Sequence, residues 1–124
     1  MDLQIHIELQ DGLLLVTASG NLEFTAALQS FKEVVNTAAE KQVNKILING
    51  LGVDGELSTV ERYNLGGEVA KYLRLRKMNP RLAIVGKPPT VDGFGVLVGQ
   101  NLGVMIERFS SEQEALNWLC RPPS

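Results

Sequence analysis

Few side chains in this chain could do covalent or acid–base chemistry. There is one histidine, His6, and one cysteine, Cys120. His6 falls on the polar side of an alternating stretch, where it is expected in solvent. Cys120 lies near the end of a terminal helix with no base beside it, and is expected as a partly buried, unreactive thiol. A zinc site would need carboxylates to complete it, and no ligand spacing suggests one. Asp54, Glu56 and Asp92 all fall near expected strand ends. They could pair as general acid and base, but acids at helix starts also serve the helix dipole.

Ser58-Thr59-Val60-Glu61 fits a capping box, with Ser58 as N-cap and Glu61 reaching back to its amide. A cap alone explains Ser58. A phosphate there would sit at a helix N-terminus, where the dipole tolerates it. Two glycine-rich stretches match no nucleotide motif. In Gly93-Phe94-Gly95-Val96-Leu97-Val98-Gly99 the third glycine is one place late for a dinucleotide fingerprint, and Pro88 follows Lys87 where a P-loop needs Ser or Thr. Lys71, Arg74, Arg76 and Lys77 form a basic run that could touch anionic lipid or a partner. Its place at a helix C-terminus is also explained by the dipole.

The elements that must position these residues follow from periodicity. Leu3, Ile5, Ile7 and Leu9 alternate with polar residues, as in a half-buried strand at a sheet edge. Asp11-Gly12 predicts a tight hairpin into a second strand, Leu13 to Ser19, which Gly20-Asn21 breaks. Thr25 is the expected cap of a helix to about Lys41, with Phe24, Leu28, Phe31, Val35 and Ala38 on its buried stripe. Ile46–Asn49 is a buried strand that the glycines of 50–57 are expected to end. A helix from Thr59 to about Lys77 follows, carrying Gly66-Gly67 inside it, at roughly 1 kcal/mol each against alanine. At least one of the two is expected to pack closely on the sheet. Leu82–Val85 reads as an interior parallel strand. Residues 91–102 are expected as a third helix or a poorly regular one, since Gly93, Gly95 and Gly99 weaken it, and Val104–Phe109 is the last strand. Ser111 and Glu114 suggest a second capping box before a short helix packed by Ala115, Trp118 and Leu119, and Arg121-Pro122-Pro123-Ser124 is a frayed end.

The 124 residues fit one domain, 1–124, with an ordinary core. A net charge of −2 argues against a nucleic-acid binder. The single thiol fits a reducing compartment. The start lacks a basic, apolar leader and no stretch reaches the roughly 20 apolar residues of a span, so a cytoplasmic protein not integral to the membrane is expected. The order β-β-α-β-α-β-α-β-α implies an α/β fold with an open, mostly parallel sheet of about five strands and flanking helices.

That order, with the hairpin at Asp11-Gly12, the strand Ile46–Asn49 leading to Ser58, the strand Leu82–Val85 and the ending Arg108-Phe109-Ser110-Ser111-Glu112-Gln113-Glu114-Ala115-Leu116-Asn117-Trp118-Leu119, resembles the STAS superfamily of anti-sigma-factor antagonists, and most of all its SpoIIAA-like branch. The resemblance implies a SpoIIAA/STAS-like fold and a regulatory, non-enzymatic module. Its protein partner would be a kinase or anti-sigma-like factor. It also implies a phosphorylatable serine at the position of Ser58, with Thr59 beside it. The family's preceding aspartate is here Leu57.

The expected function is therefore a non-catalytic module with no cofactor and no metal. It would bind a protein partner or small ligand at the carboxyl edge of the sheet, at Leu51, Val53, Asp54, Leu57, Ser58, Thr90, Phe94, Ser110 and Ser111. Three helix starts there carry hydroxyls, and their amides would suit an anion. The alternative is a lipid or apolar small-molecule binder whose glycine-rich helix at 93–103 gates a pocket. A hydrolase using Ser58 or Asp54 is the weakest reading, because no base is placed to activate a nucleophile. An enclosed apolar cavity would favour the ligand, and a flat apolar patch would favour the protein partner.

Overall fold

The structure is a computed structural model that describes residues 1–91 and 93–121, with Gly93 described in its backbone alone. Asp92 and Pro122–Ser124 lie outside the described residues. The strands are β1 (Gln4–Gln10), β2 (Leu13–Asn21), β3 (Lys45–Asp54), β4 (Arg81–Val85) and β5 (Met105–Phe109), and the helices α1 (Phe24–Lys41), α2 (Thr59–Leu75), α3 (Gly93–Asn101) and α4 (Glu112–Cys120). They form one five-stranded sheet in the order β1-β2-β3-β4-β5. The β1–β2 pair is antiparallel and the rest are parallel. The hairpin turn places Asp11 at φ 52° and Gly12 at φ 75°, the two positive φ values of a type I′ turn.

Period-two alternation divides the core between the two faces. Leu14, Ile46, Leu82 and Ile106 stand in register across four strands and pack under α1 and α2 with Val34, Val35, Ala38, Val69 and Leu73. Leu47, Ala83 and Val85 face the other way and are covered by Ala115 and Leu119 of α4. Thus α1, α2 and α3 share one face and α4 covers the opposite one. Arg81 pins α4: its guanidinium donates to the carbonyls of Trp118 (2.7 Å) and Arg121 (2.8 Å) and lies 4.4 Å over the Trp118 ring. A strictly sequential strand order has no reversal point, so no crevice arises from topology alone.

Three local expectations are corrected. First, β3 does not stop at Asn49. It runs to Asp54, because Ser19, Gly20 and Asn21 of β2 pair with Gly52, Val53 and Asp54 after a register shift. The glycines stay extended, and only Gly55, at φ 94°, makes the turn. Second, the N-cap of α1 is Glu23 rather than Thr25: its carboxylate accepts from the amides of Thr25 (3.2 Å) and Ala26 (2.9 Å). Third, Cys120 is exposed.

The bonds to Ala26 and Thr25 hold the Glu23 carboxyl below its ordinary value of 4.5. Because the folded value is the lower one, Glu23 stabilises the fold above its unfolded pKa, and that contribution is lost as the pH falls through the folded value. The expected result is a stability gap between the wild type and Glu23→Ala that is constant near neutrality and closes in acid. Urea melts across that range would show it; a gap independent of pH would mean that the carboxylate is not the cap.

Candidate functional site

Ser58 caps α2 as expected. Its Oγ accepts from the Glu61 amide (3.1 Å), and the Glu61 carboxylate accepts from the Ser58 amide (2.9 Å). Ser58→Ala is expected to lower the unfolding free energy by about 1 kcal/mol. An unchanged denaturation midpoint would show that the box contributes nothing. At the start of α4, Ser111 accepts from the Glu114 amide (3.3 Å), while its own hydroxyl, rather than its amide, donates to the Glu114 carboxylate (3.2 Å).

The β3–α2 and β4–α3 loops are clasped together above Leu57. Thr90 Oγ1 donates to the Gly55 carbonyl (2.5 Å). Arg62 donates to Glu56 (2.9 Å) and to the Pro89 carbonyl (3.3 Å), and only 16% of its side chain is exposed.

Beneath this clasp, between the sheet and α1, α2 and α3, lies a recess of about 230 Å³. Its floor is the sheet: Val16, Ala18, Ile48, Gly50, Leu82, Ile84 and Ile106. Its roof is Ala27, Phe31 and Val34 of α1, Leu65, Gly66 and Val69 of α2, and Gly95, Val96 and Gly99 of α3. Leu3, Ile5, Leu22, Val53 and Leu57 close its sides, and Ser30, Arg62 and Thr90 supply polar atoms. Small residues, Ala18, Gly50, Ala27, Gly66, Gly95 and Gly99, stand among its larger apolar lining residues.

Of the expected site residues, Val53, Leu57 and Thr90 line the recess. Leu51 and Phe94 stand 48% and 38% exposed outside it, with Asp54 and Ser58 also at the surface. Ser110 and Ser111 lead into α4, so they share the sheet edge but sit toward the opposite face. The expected convergence of three helix starts is therefore divided between two faces. Asp54, Glu56, Glu61, Glu112 and Glu114 crowd the same edge, and the two caps already occupy amides there. Local carboxylates thus offset the helix dipoles.

The closely packed glycine is Gly66, and it meets α3 rather than the sheet. A Cβ there would lie 2.7 Å from Val98 Cγ1 and 3.4 Å from the Gly95 carbonyl, whereas Gly67 has open space. Residues 93–101 form a regular helix despite their glycines. Sequence reasoning missed Arg62, Ser30, Ala18 and Ala27 as lining residues. The available signal was small residues recurring on otherwise apolar faces.

His6 is exposed on β1, 3.4 Å from Glu8. Among the described residues no group of three His, Cys, Asp or Glu side chains could hold a metal ion, and no helix is long and apolar enough to cross a membrane.

Among the solved structures of similar shape are the following three. An anti-sigma factor antagonist from Mycobacterium paratuberculosis superposes with TM-score 0.66 at 15% identity, over 97% of this chain and 96% of that one. The chain has the SpoIIAA-like fold. An uncharacterised DUF3478-family protein with a SpoIIAA-like fold from Shewanella loihica aligns at TM-score 0.56 and 20% identity, over 95% of this chain and 93% of its own. The NMR structure of the protein TM1081 aligns at TM-score 0.52 and 18% identity, over 94% and 88%. No family model and no curated protein matches the sequence. The likeness is thus one of backbone shape, which a core can keep while one apolar side chain is exchanged for another.

Proposed function

We propose that this chain is a non-catalytic, cytoplasmic binding module that holds a small apolar molecule in the recess under α1, α2 and α3. The observation that carries the reading is the recess itself, about 230 Å³ and walled by apolar side chains. The recess is partly open, so an occupant would cover apolar wall that otherwise faces water, a gain of about 25 cal/mol per Å² covered, and apolar cavities of about 150 Å³ already take benzene. Among the described residues no His, Cys, Asp or Glu lines the recess, which supports binding over acid–base chemistry there. The ligand class is a compact hydrocarbon body, aromatic or short acyl, with at most one polar end directed to Ser30, Thr90 or Arg62.

The test is a thermal-shift and amide-shift screen with small aromatic and medium-chain acyl compounds. Saturable binding that raises Tm and moves Ala18, Ala27, Leu57 and Gly99 is expected. Shifts confined to Asp11, Gly12 and Asn79, or none at saturation, would refute it.

A second reading is a protein partner, bound at the same edge and controlled at Ser58. Exposed Leu51, Val60, Tyr63, Phe94 and Leu97 favour it, since apolar side chains left in water beside a helix pair are what partners cover. Ser58 is exposed, with Thr59 next to it. A phosphate on Ser58 would displace Glu61 from the capping box and repel it.

A further inference from the structure

The opposite edge of the sheet carries a different kind of surface. Lys71, Arg74, Arg76 and Lys77 fall between residues 71 and 77 and all are exposed. Among the described residues the ion pairs are His6–Glu8, Lys41–Glu40 and Arg62–Glu56, so none of these four cations is neutralised by a described acid. The helix dipole accounts for cations in a last turn. It does not account for the apolar side chains that stand among them. Leu75 is 75% exposed, Leu102 44% and Met105 40%. Lys71, Arg74 and Leu75 share one outward stripe of α2, at spacings of three and four. Leu102 joins Arg74 and Lys77 around a depression floored by Ala70, Leu73 and Val104. Leu102 stands at the rim of that depression, and Leu75 projects outward beside it. The carboxylates Asp54, Glu56, Glu61, Glu112 and Glu114 lie at the far edge, while Asp11 and Glu40 share the near one, so the basic run is a local patch set away from the acidic cluster.

We propose that this end of the molecule docks on an anionic lipid surface. Lys71, Arg74, Arg76 and Lys77 would sit among headgroup phosphates, with Leu75 and Leu102 at the acyl boundary. Exposed leucines ringed by cations suit that boundary, and the acidic cluster at the far edge lies away from it. The inference is independent of the recess and its ligand.

The experiment is cosedimentation of the full chain with phosphatidylcholine vesicles, with and without phosphatidylserine, at low and high salt. Binding is expected only with phosphatidylserine, weakening steeply with salt. The double variant Lys71→Glu, Arg74→Glu should bind at least roughly 30-fold more weakly, and Leu75→Ser should also weaken binding. All three substitutions are at exposed positions, and circular dichroism checks that the variants fold. Absence of vesicle binding by the folded wild type would overturn the proposal, as would undiminished binding by the charge-reversed variant. Binding to polyglutamate but not to vesicles would assign the face to an acidic protein and likewise overturn it.

Discussion

Gly66→Leu is expected to lose roughly 1–3 kcal/mol of unfolding free energy by overpacking, while Gly67→Ala next to it gains about 0.5–1 kcal/mol. The opposite signs come from one turn of helix. At Gly66 the added Cβ would meet Val98 at 2.7 Å and 3.0 Å. Val98 is β-branched, so it has few rotamers into which to retreat. Behind it the α3 backbone approaches through the Gly95 carbonyl. The added side chain can therefore be accommodated only by moving α2 and α3 apart, which also opens the recess that both helices roof. Gly67 points outward with nothing within 4 Å and has no positive φ, so alanine simply restricts the unfolded chain. Urea melts of the two single variants would decide it. Equal tolerance at both positions would mean that the α2–α3 seam is not closely packed in solution.

This pair of glycines also shows where sequence reasoning stops. Gly66-Gly67 announced that space was needed, but not whether the space faced the sheet or another helix, since both lie on the apolar side of α2. The strands and the helix-capping role of Ser58 were legible because alternation and capping are local. The end of β3 was not: Gly50 and Gly52 read as breakers, and only pairing with the last residues of β2 keeps them extended. The cap of α1 is not legible because glutamate is an uncommon N-cap, although the Glu23 carboxylate reaches two amides here. The side of the sheet taken by α4 was equally hidden, because among the described residues α4 does not connect two strands, so no crossover rule fixes its face. The recess is the extreme case. Its volume is set by the separation of three helices from the sheet, and no single stretch encodes that.

Filling the recess should separate ligand binding from stability. Ala27→Phe places an aromatic ring from α1 toward a space of about 230 Å³ walled by Val16, Ala18, Phe31 and Val53. If the space is vacant in the unliganded protein, the ring enters it and buries apolar area that was facing a void. Unfolding free energy should then stay level or rise by about 1–3 kcal/mol, the usual worth of burying a phenyl group. Binding of any compound found in the screen should fall at least about tenfold, because the ring and the ligand compete for one volume. Thr90→Val is the companion control. It keeps the size of the wall but removes the hydroxyl that donates to Gly55, so it loosens the clasp without filling the space. A ligand held by apolar contact should survive this change, with faster exchange. Two results would refute the assignment. If Ala27→Phe destabilises the fold by several kcal/mol, the helices already close on the sheet and no vacancy exists. If it folds normally and still binds the ligand undiminished, the ligand lies elsewhere, and the exposed edge at Leu51, Val60, Tyr63 and Phe94 becomes the place to look.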